Sequence, residues 1–348
     1  MQHIMDITHG YQWLTVIWWL LIGLFVVLYI ILDGADLGSG IYSLFNSDSE
    51  ERGAIMASMA GTWDANETWL VVAGGAIFGT FPLAYGSLFH YLMIPLMVVL
   101  WGIIIRAVSL EFHHYSKRSR KIWDWGFGIG SLATTFAAGV SLGAFLQGFS
   151  MSTGQVPTFN GGAMDFLTPF SLLTGVTAVI AASLAGGTYL RARFNRDTEI
   201  YAKALKWTDL MFYLALVAIL VTVAWTFIQF PWARDKWIGP YWWAYVIAGA
   251  IVLYATWSMR KASREQRDIT AMLWLASIVF INFGTMMATL YPWFVPGTMT
   301  IFDAANPSNS LAAFSYAMLG FVPVMLSYNF YQAWVFRARL HKLVGYAH

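Results

Sequence analysis

From Trp13 the chain runs through about twenty residues that are almost all apolar, the length a helix needs to cross the roughly 30 Å of a bilayer's hydrocarbon. Toward the end of that run it meets two acids, in Leu32-Asp33-Gly34-Ala35-Asp36-Leu37-Gly38. An ionised side chain at membrane depth costs at least about 2.5 to 3.5 kcal/mol, so such groups pair, protonate or line a polar path. Asp64 and Arg106, on the next two apolar segments, are the candidate company for Asp33 and Asp36.

Of 348 residues, 58% are hydrophobic and 11% charged, where a soluble domain carries about 25% charged residues. This is an all-α integral membrane protein. Eighteen tryptophans suit long interfacial belts. The absence of cysteine excludes disulfides, thiolate metal sites and iron–sulfur clusters. Residues 1–10 hold no Lys or Arg and no small-residue cleavage pattern, so the first apolar segment is expected to be retained.

Apolar stretches predict nine transmembrane helices, near 13–44, 55–80, 83–112, 122–147, 166–190, 206–229, 241–259, 269–291 and 311–336. Pro82 and Tyr291-Pro292 fall at expected ends, whereas Pro95 and Pro323 predict kinks. The odd-numbered connections and the C-terminal segment hold Arg52; Lys117, Arg118, Arg120, Lys121; Arg191, Arg193, Arg196, Lys203, Lys206; Arg260, Lys261, Arg264, Arg267; and Arg337, Arg339, Lys342. The other side has only Arg234 and Lys236, and Arg106 lies within a span. Positive charge gathers on the cytoplasmic side, which puts the N-terminus outside and the C-terminus in the cytoplasm. No linker divides the chain, so residues 1–348 read as a single polytopic domain, and no internal repeat is evident. The connections at 148–165 and 292–310 lack basic residues and read as ordered caps or a partner surface.

With a rise of 1.5 Å per residue, Asp36, Asp64 and Arg106 each lie about 12 to 14 Å from the inner ends of the first three predicted helices. Neighbouring segments pack together, so a cluster of two carboxylates and a guanidinium is expected. Asp33 with Asp36, and Asp64 with Glu67, have the i, i+3 spacing that shares a helix face. Such pairs hold fewer protons than sites and exchange them at modest cost, which is what a proton path needs. Gly34 and Gly38 form a small-xxx-small pair that would let another backbone approach and bury the acids. Against this stands a purely structural reading, in which the acids snorkel to the interface or pair with Arg106 for packing, and Trp63 beside Asp64 is only core.

Histidine argues against a self-contained cytochrome. His3, His9, His341 and His348 are terminal, His113 and His114 lie at the inner interface, and only His90 is inside a span. Several hemes would need several buried axial ligands, and the 16 methionines read as lipid-facing or gap-filling residues. There is no phosphate-binding Walker loop, dinucleotide fingerprint or HExxH pattern.

Taken together the motifs resemble the second, heme-free subunit of cytochrome bd-type quinol oxidases, a family that includes a cyanide-insensitive branch. They are Ile17-Trp18-Trp19-Leu20-Leu21 with Asp33-Gly34-Ala35-Asp36-Leu37-Gly38; Trp63-Asp64-Ala65-Asn66-Glu67-Thr68-Trp69-Leu70 with Ala73-Gly74-Gly75-Ala76; Arg106; Trp123-Asp124-Trp125-Gly126; Leu146-Gln147-Gly148; Pro169-Phe170 with Leu172-Leu173-Thr174-Gly175; Gly187-Thr188-Tyr189-Leu190; and Tyr291-Pro292 through Pro296 to Asp303-Ala304. The resemblance implies two four-helix bundles plus a peripheral helix, in a bacterial cytoplasmic membrane. It implies a heterodimer whose larger subunit carries two hemes b and heme d, oxidises quinol and reduces oxygen to water. It leaves room for a small extra subunit and a structural quinone, and it involves membrane lipid but no nucleic acid. Asp36, Asp64 and Trp63 match the family's acidic motif positions tied to a cytoplasmic proton path or to its helix packing, and Arg106 matches its buried arginine. Ala35 replaces a common aromatic, Ala65 a common Gly, and the connection between the sixth and seventh helices is short.

The expectation is therefore a terminal oxidase subunit that serves as scaffold and proton conduit. Asp36 and Asp64 act as relays, Arg106 tunes them, and Asp33 and Glu67 assist. A proton-coupled transporter is the rival, which inverted repeats and paired broken helices would favour.

Overall fold

The computed structural model describes residues 12–116, 118–152, 159–335 and 339–340. In chain order the helices are α1 (Gln12–Ser43), α2 (Ser49–Met59), α3 (Trp63–Thr80), α4 (Pro82–Tyr91), α5 (Met93–Tyr115), α6 (Arg120–Gln147), α7 (Pro169–Arg193), α8 (Glu199–Gln229), α9 (Pro231–Trp237), α10 (Trp242–Arg264) and α11 (Asp268–Leu290). An antiparallel pair, β1 (Trp293–Val295) and β2 (Met299–Thr300), leads to α12 (Ile301–Ala304) and α13 (Ser308–Val335). Among the described residues eight helices are long and apolar enough to cross a membrane: α1, α5, α6, α7, α8, α10, α11 and α13 over Ser308–Gln332.

Two expected spans are built differently. The stretch 55–80 is two helices: α2 starts on the Asp48 cap, whose side chain accepts from the Glu50 amide, and a turn closed by Thr62 N donating to Met59 O (2.9 Å) precedes α3. Asp64 therefore sits in the first turn of α3, where free amides and the helix dipole favour an acid. The stretch 83–112 parts at Leu92 into α4 and α5. Pro95 falls in the first turn of α5, where its missing N–H has no partner to lose, so it marks a helix start and not a kink. Pro323 does lie inside α13.

α1 is the central element, packed against α3, α6, α7 and α11. Its crossing with α7 is backbone against backbone: a Cβ on Gly38 would lie 1.7 Å from the Ala182 carbonyl oxygen, and one on Gly186 would lie 2.1 Å from the Gly38 carbonyl carbon. Gly34 faces open space, so of the expected small-residue pair only Gly38 makes the contact. This crossing fixes the depth of Asp36, half a turn earlier. One apolar cluster with Trp18, Phe25, Trp69, Phe81 and Phe170 fills the space around α1, and a second with Ile55, Met59, Phe127, Leu190 and Phe194 closes the end where α2 lies. Each such side chain is worth about 1.5 to 3 kcal/mol when fully buried.

The connection at 292–310 is ordered. It carries a cis Tyr291-Pro292 bond and a Thr300/Asp303 capping box, and Asn306 ties it to the end of α3 through Thr80 O and Gly79 O, both at 2.8 Å. In the connection at 148–165, Met151 pairs with Phe159, and 153–158 lie outside the described residues.

Candidate functional site

Two helices bring acids to one guanidinium carried by a third. Arg106 on α5 and Asp33 on α1 are both wholly buried, with Nη2 donating to Asp33 Oδ1 at 2.7 Å. The same Nη2 donates to Glu67 Oε1 from α3, whose side chain keeps 15% of its surface exposed. One turn along α1, Asp36 is buried, accepts 2.8 Å from Asn66 Nδ2 of α3 and lies within electrostatic range of Arg106. The geometry follows from local sequence. The i, i+3 spacing turns Asp33 and Asp36 to one side of α1, while adjacent Asn66 and Glu67 in the first turns of α3 reach the two acids separately.

The cluster is not closed. Arg106 Nε and Nη1, Asp33 Oδ2 and the Tyr29 hydroxyl are buried without a hydrogen-bond partner. Tyr29 lies one turn before Asp33 and faces its carboxylate without completing a hydrogen bond. Buried donors and an acceptor left open around a paired charge are where internal water is held, since an unpaired buried polar group costs about 1 to 3 kcal/mol.

Of the six residues singled out by sequence, Asp33, Asp36, Glu67 and Arg106 meet here. Asp64 and Trp63 do not. Asp64 is exposed, and Trp63 is half-buried against the apolar cluster at the α2 end. Asp64 begins an exposed strip on α3 that continues through Thr68, Val71, Gly75 and Phe78 at alternating spacings of four and three. Sequence reasoning missed Asn66 and Tyr29 as members of the site. It also missed a pair nearer the α2 end of α5: His113 Nε2 lies 3.0 Å from Asp124 Oδ1, off the line of the N–H, and Ser49 Oγ donates 2.7 Å to Asp124 Oδ2. The Trp-Asp-Trp-Gly motif around Asp124 was the available signal. His90 packs edge-on against Phe159 at 5.3 Å.

A family model described as cytochrome bd terminal oxidase subunit II matches residues 14–336. The chain belongs to this family. Among similar proteins, the cytochrome bd-I ubiquinol oxidase subunit 2 of Escherichia coli (strain K12) is 26% identical over 378 residues, covering 95% of this chain and 96% of that one. The cytochrome bd ubiquinol oxidase subunit 2 of Bacillus subtilis (strain 168) is 26% identical over 336 residues, covering 94% and 97%. A chain of the solved bd oxidase from Geobacillus thermodenitrificans shares the fold, with a TM-score of 0.76 at 18% identity over 92% of this chain and 98% of that one. The chain is thus subunit II of a cytochrome bd-type terminal oxidase and a multi-pass membrane protein, as its motifs led one to expect.

Proposed function

We propose that this subunit pairs with a larger, heme-bearing subunit in a bacterial cytoplasmic membrane, in a complex that converts quinol and oxygen to quinone and water. In this reading it is a single polytopic domain of nine membrane passages, with α3 counted as a passage despite its polar start. The passages form two four-helix bundles and a peripheral helix, with the N-terminus outside and the C-terminus in the cytoplasm. The redox centres belong to the partner. His90 against Phe159 and His113 beside Asp124 are engaged with protein groups, which suits heme ligation elsewhere.

The proton path runs through the Arg106 cluster. Asp36, Asp33 and Glu67 hold and pass protons supplied from the cytoplasm, and Arg106 keeps the acids together in a low-dielectric setting. Asp64 takes the proton onward at the exposed strip of α3. A carboxylate there cannot face acyl chains at low cost, which supports a strip covered by the larger subunit. The observation that carries the reading is that acids from two helices share one nitrogen of a buried arginine whose other two nitrogens remain open.

Glu67→Gln keeps shape and removes a titratable site. Oxygen consumption by the purified two-subunit complex should fall about tenfold or more, with heme content unchanged. Full turnover in this variant would discard the relay, and loss of heme would assign Glu67 a structural role.

A further inference from the structure

The break between α2 and α3 connects the protein surface to the acids. Gly61 is exposed and Thr62 half-buried, while Asn66, whose amide donates to Thr62 O at 3.1 Å, is buried and holds Asp36. In a continuous helix Ser58 O would accept from the Thr62 amide. Here that amide turns to Met59 O, and two groups of α7 take Ser58 O instead: the Tyr189 hydroxyl at 2.9 Å and Arg193 Nη2 at 3.0 Å.

The α1–α7 crossing puts Tyr189 in reach. Ala182, Gly186 and Tyr189 follow the i, i+4, i+7 spacing of one helix face, and the first two abut Gly38 of α1. A helical side chain leans toward the N-terminus of its own helix, which carries the Tyr189 ring back toward the level of that contact. The ring is half-buried against the apolar cluster of Ile55, Met59, Leu190 and Phe194, and its hydroxyl stands in the electrostatic field of Asp36.

Counting donors and acceptors decides what this hydroxyl can do. Its proton is committed to Ser58 O, which already accepts twice, whereas the phenol oxygen keeps acceptor capacity. Thr62 Oγ1 donates to Met59 O at 3.1 Å and keeps acceptor capacity as well. From Thr62 to Asn66 and its partner Asp36 is one helical turn, about 5.4 Å, a span that one water bridges with two hydrogen bonds of about 2.8 Å.

We infer that protons enter the Arg106 cluster at the α2–α3 break, where Tyr189 is the positioning residue that holds an entering water against Asp36. The inference rests on the proton-path reading and deepens it. The water donates one O–H to the Tyr189 oxygen and the other to the Asp36 carboxylate. As it gives that proton to Asp36 it takes one from the next water on the Thr62 side, so no charge is left behind and Tyr189 keeps its own proton on Ser58 O.

The test uses the two-subunit oxidase with Tyr189→Phe, Asp36→Asn and both together. Tyr189→Phe keeps the ring, and oxygen turnover should slow about fivefold, with hemes retained and reduced by quinol at the normal rate. Its solvent deuterium isotope effect should rise, because proton entry becomes limiting. On the Asp36→Asn background the same change should add nothing. This chain has no cysteine, so Thr62→Cys gives a second readout: in inside-out vesicles a membrane-impermeant methanethiosulfonate should label this subunit, and turnover should fall as it does. Normal turnover and an unchanged isotope effect in Tyr189→Phe, while Asp36→Asn is slow, overturn the inference and leave the proton path standing. Equal slowing by Tyr189→Phe on both backgrounds also overturns it. Should Tyr189→Phe fail to assemble, Thr62→Cys decides, and no labelling from the cytoplasmic face, or labelling with undiminished turnover, overturns the entry. Full turnover in Asp36→Asn removes the proton path and this entry with it.

Discussion

Among the described residues two arginines are wholly buried, and they are used in opposite ways. Arg191, at the end of α7, is saturated: Nε and Nη2 donate to Asp268 Oδ1 at 3.1 and 2.8 Å, Nη1 to Ser263 Oγ at 2.6 Å, and Nη2 also to Ser263 O at 2.9 Å. Asp268 is held in turn by Tyr201 and by Arg339 at 2.9 Å. Arg106 uses one nitrogen for two acids and leaves two nitrogens idle. A filled network fixes geometry, here tying α7, α8, α11 and the segment near Arg339 together. An unfilled one leaves sites for water and for proton movement. Burial and charge alone do not separate the two; the count of satisfied atoms does.

The comparison is most severely tested at Arg191. Arg191→Met leaves buried Asp268 to Arg339 and Tyr201 and takes the donors from Ser263, and should cost up to about 3 kcal/mol, read as a large fall in the thermal unfolding temperature and in yield of the assembled complex. A stable, fully assembled variant would show that the saturated network is dispensable. At the open cluster the effect should be on rate. Asn66→Ala removes the hydrogen bond that orients Asp36, and about 1.4 kcal/mol of lost positioning corresponds to about tenfold slower oxygen reduction, with a smaller loss of stability than at Arg191. A shift in stability without a change in rate would make the two clusters alike. The smallest effect is expected at Gly34→Ala. Its Cβ meets nothing within 4 Å, so stability should hold or rise slightly through better helix propensity. Loss of assembly in that variant would sharpen the picture by showing that the larger subunit fills the space beside Gly34.

Much of this was legible in the sequence, because a charge inside an apolar run announces itself. Asp33, Asp36, Glu67 and Arg106 stood out for that reason, and the order of the motifs pointed to the family. Asn66 and Tyr29 carry no such signal, since neutral polar side chains barely disturb hydropathy. The breaks at 60–62 and at Leu92 escaped because an average over about twenty residues smooths a one-turn interruption. That smoothing placed Asp64 deep in a continuous span, whereas it lies in the first turn of α3 and points outward. The outward turn could not be read from spacing, because Asp64 and Glu67 are near neighbours on the helix surface yet Glu67 alone reaches Arg106. The α1–α7 crossing was half legible: Gly38 makes it, but its partner Gly186 lies far away in the chain.

The central claim is that acids around Arg106 carry protons, and proton uptake measured directly in Asp36→Asn addresses it. In proteoliposomes with a pH-sensitive dye on the cytoplasmic side, the variant should retain its hemes and reduce them with quinol at the normal rate, while proton uptake and oxygen turnover fall together by about tenfold or more. Uptake at the unaltered rate, with normal turnover, would contradict the account.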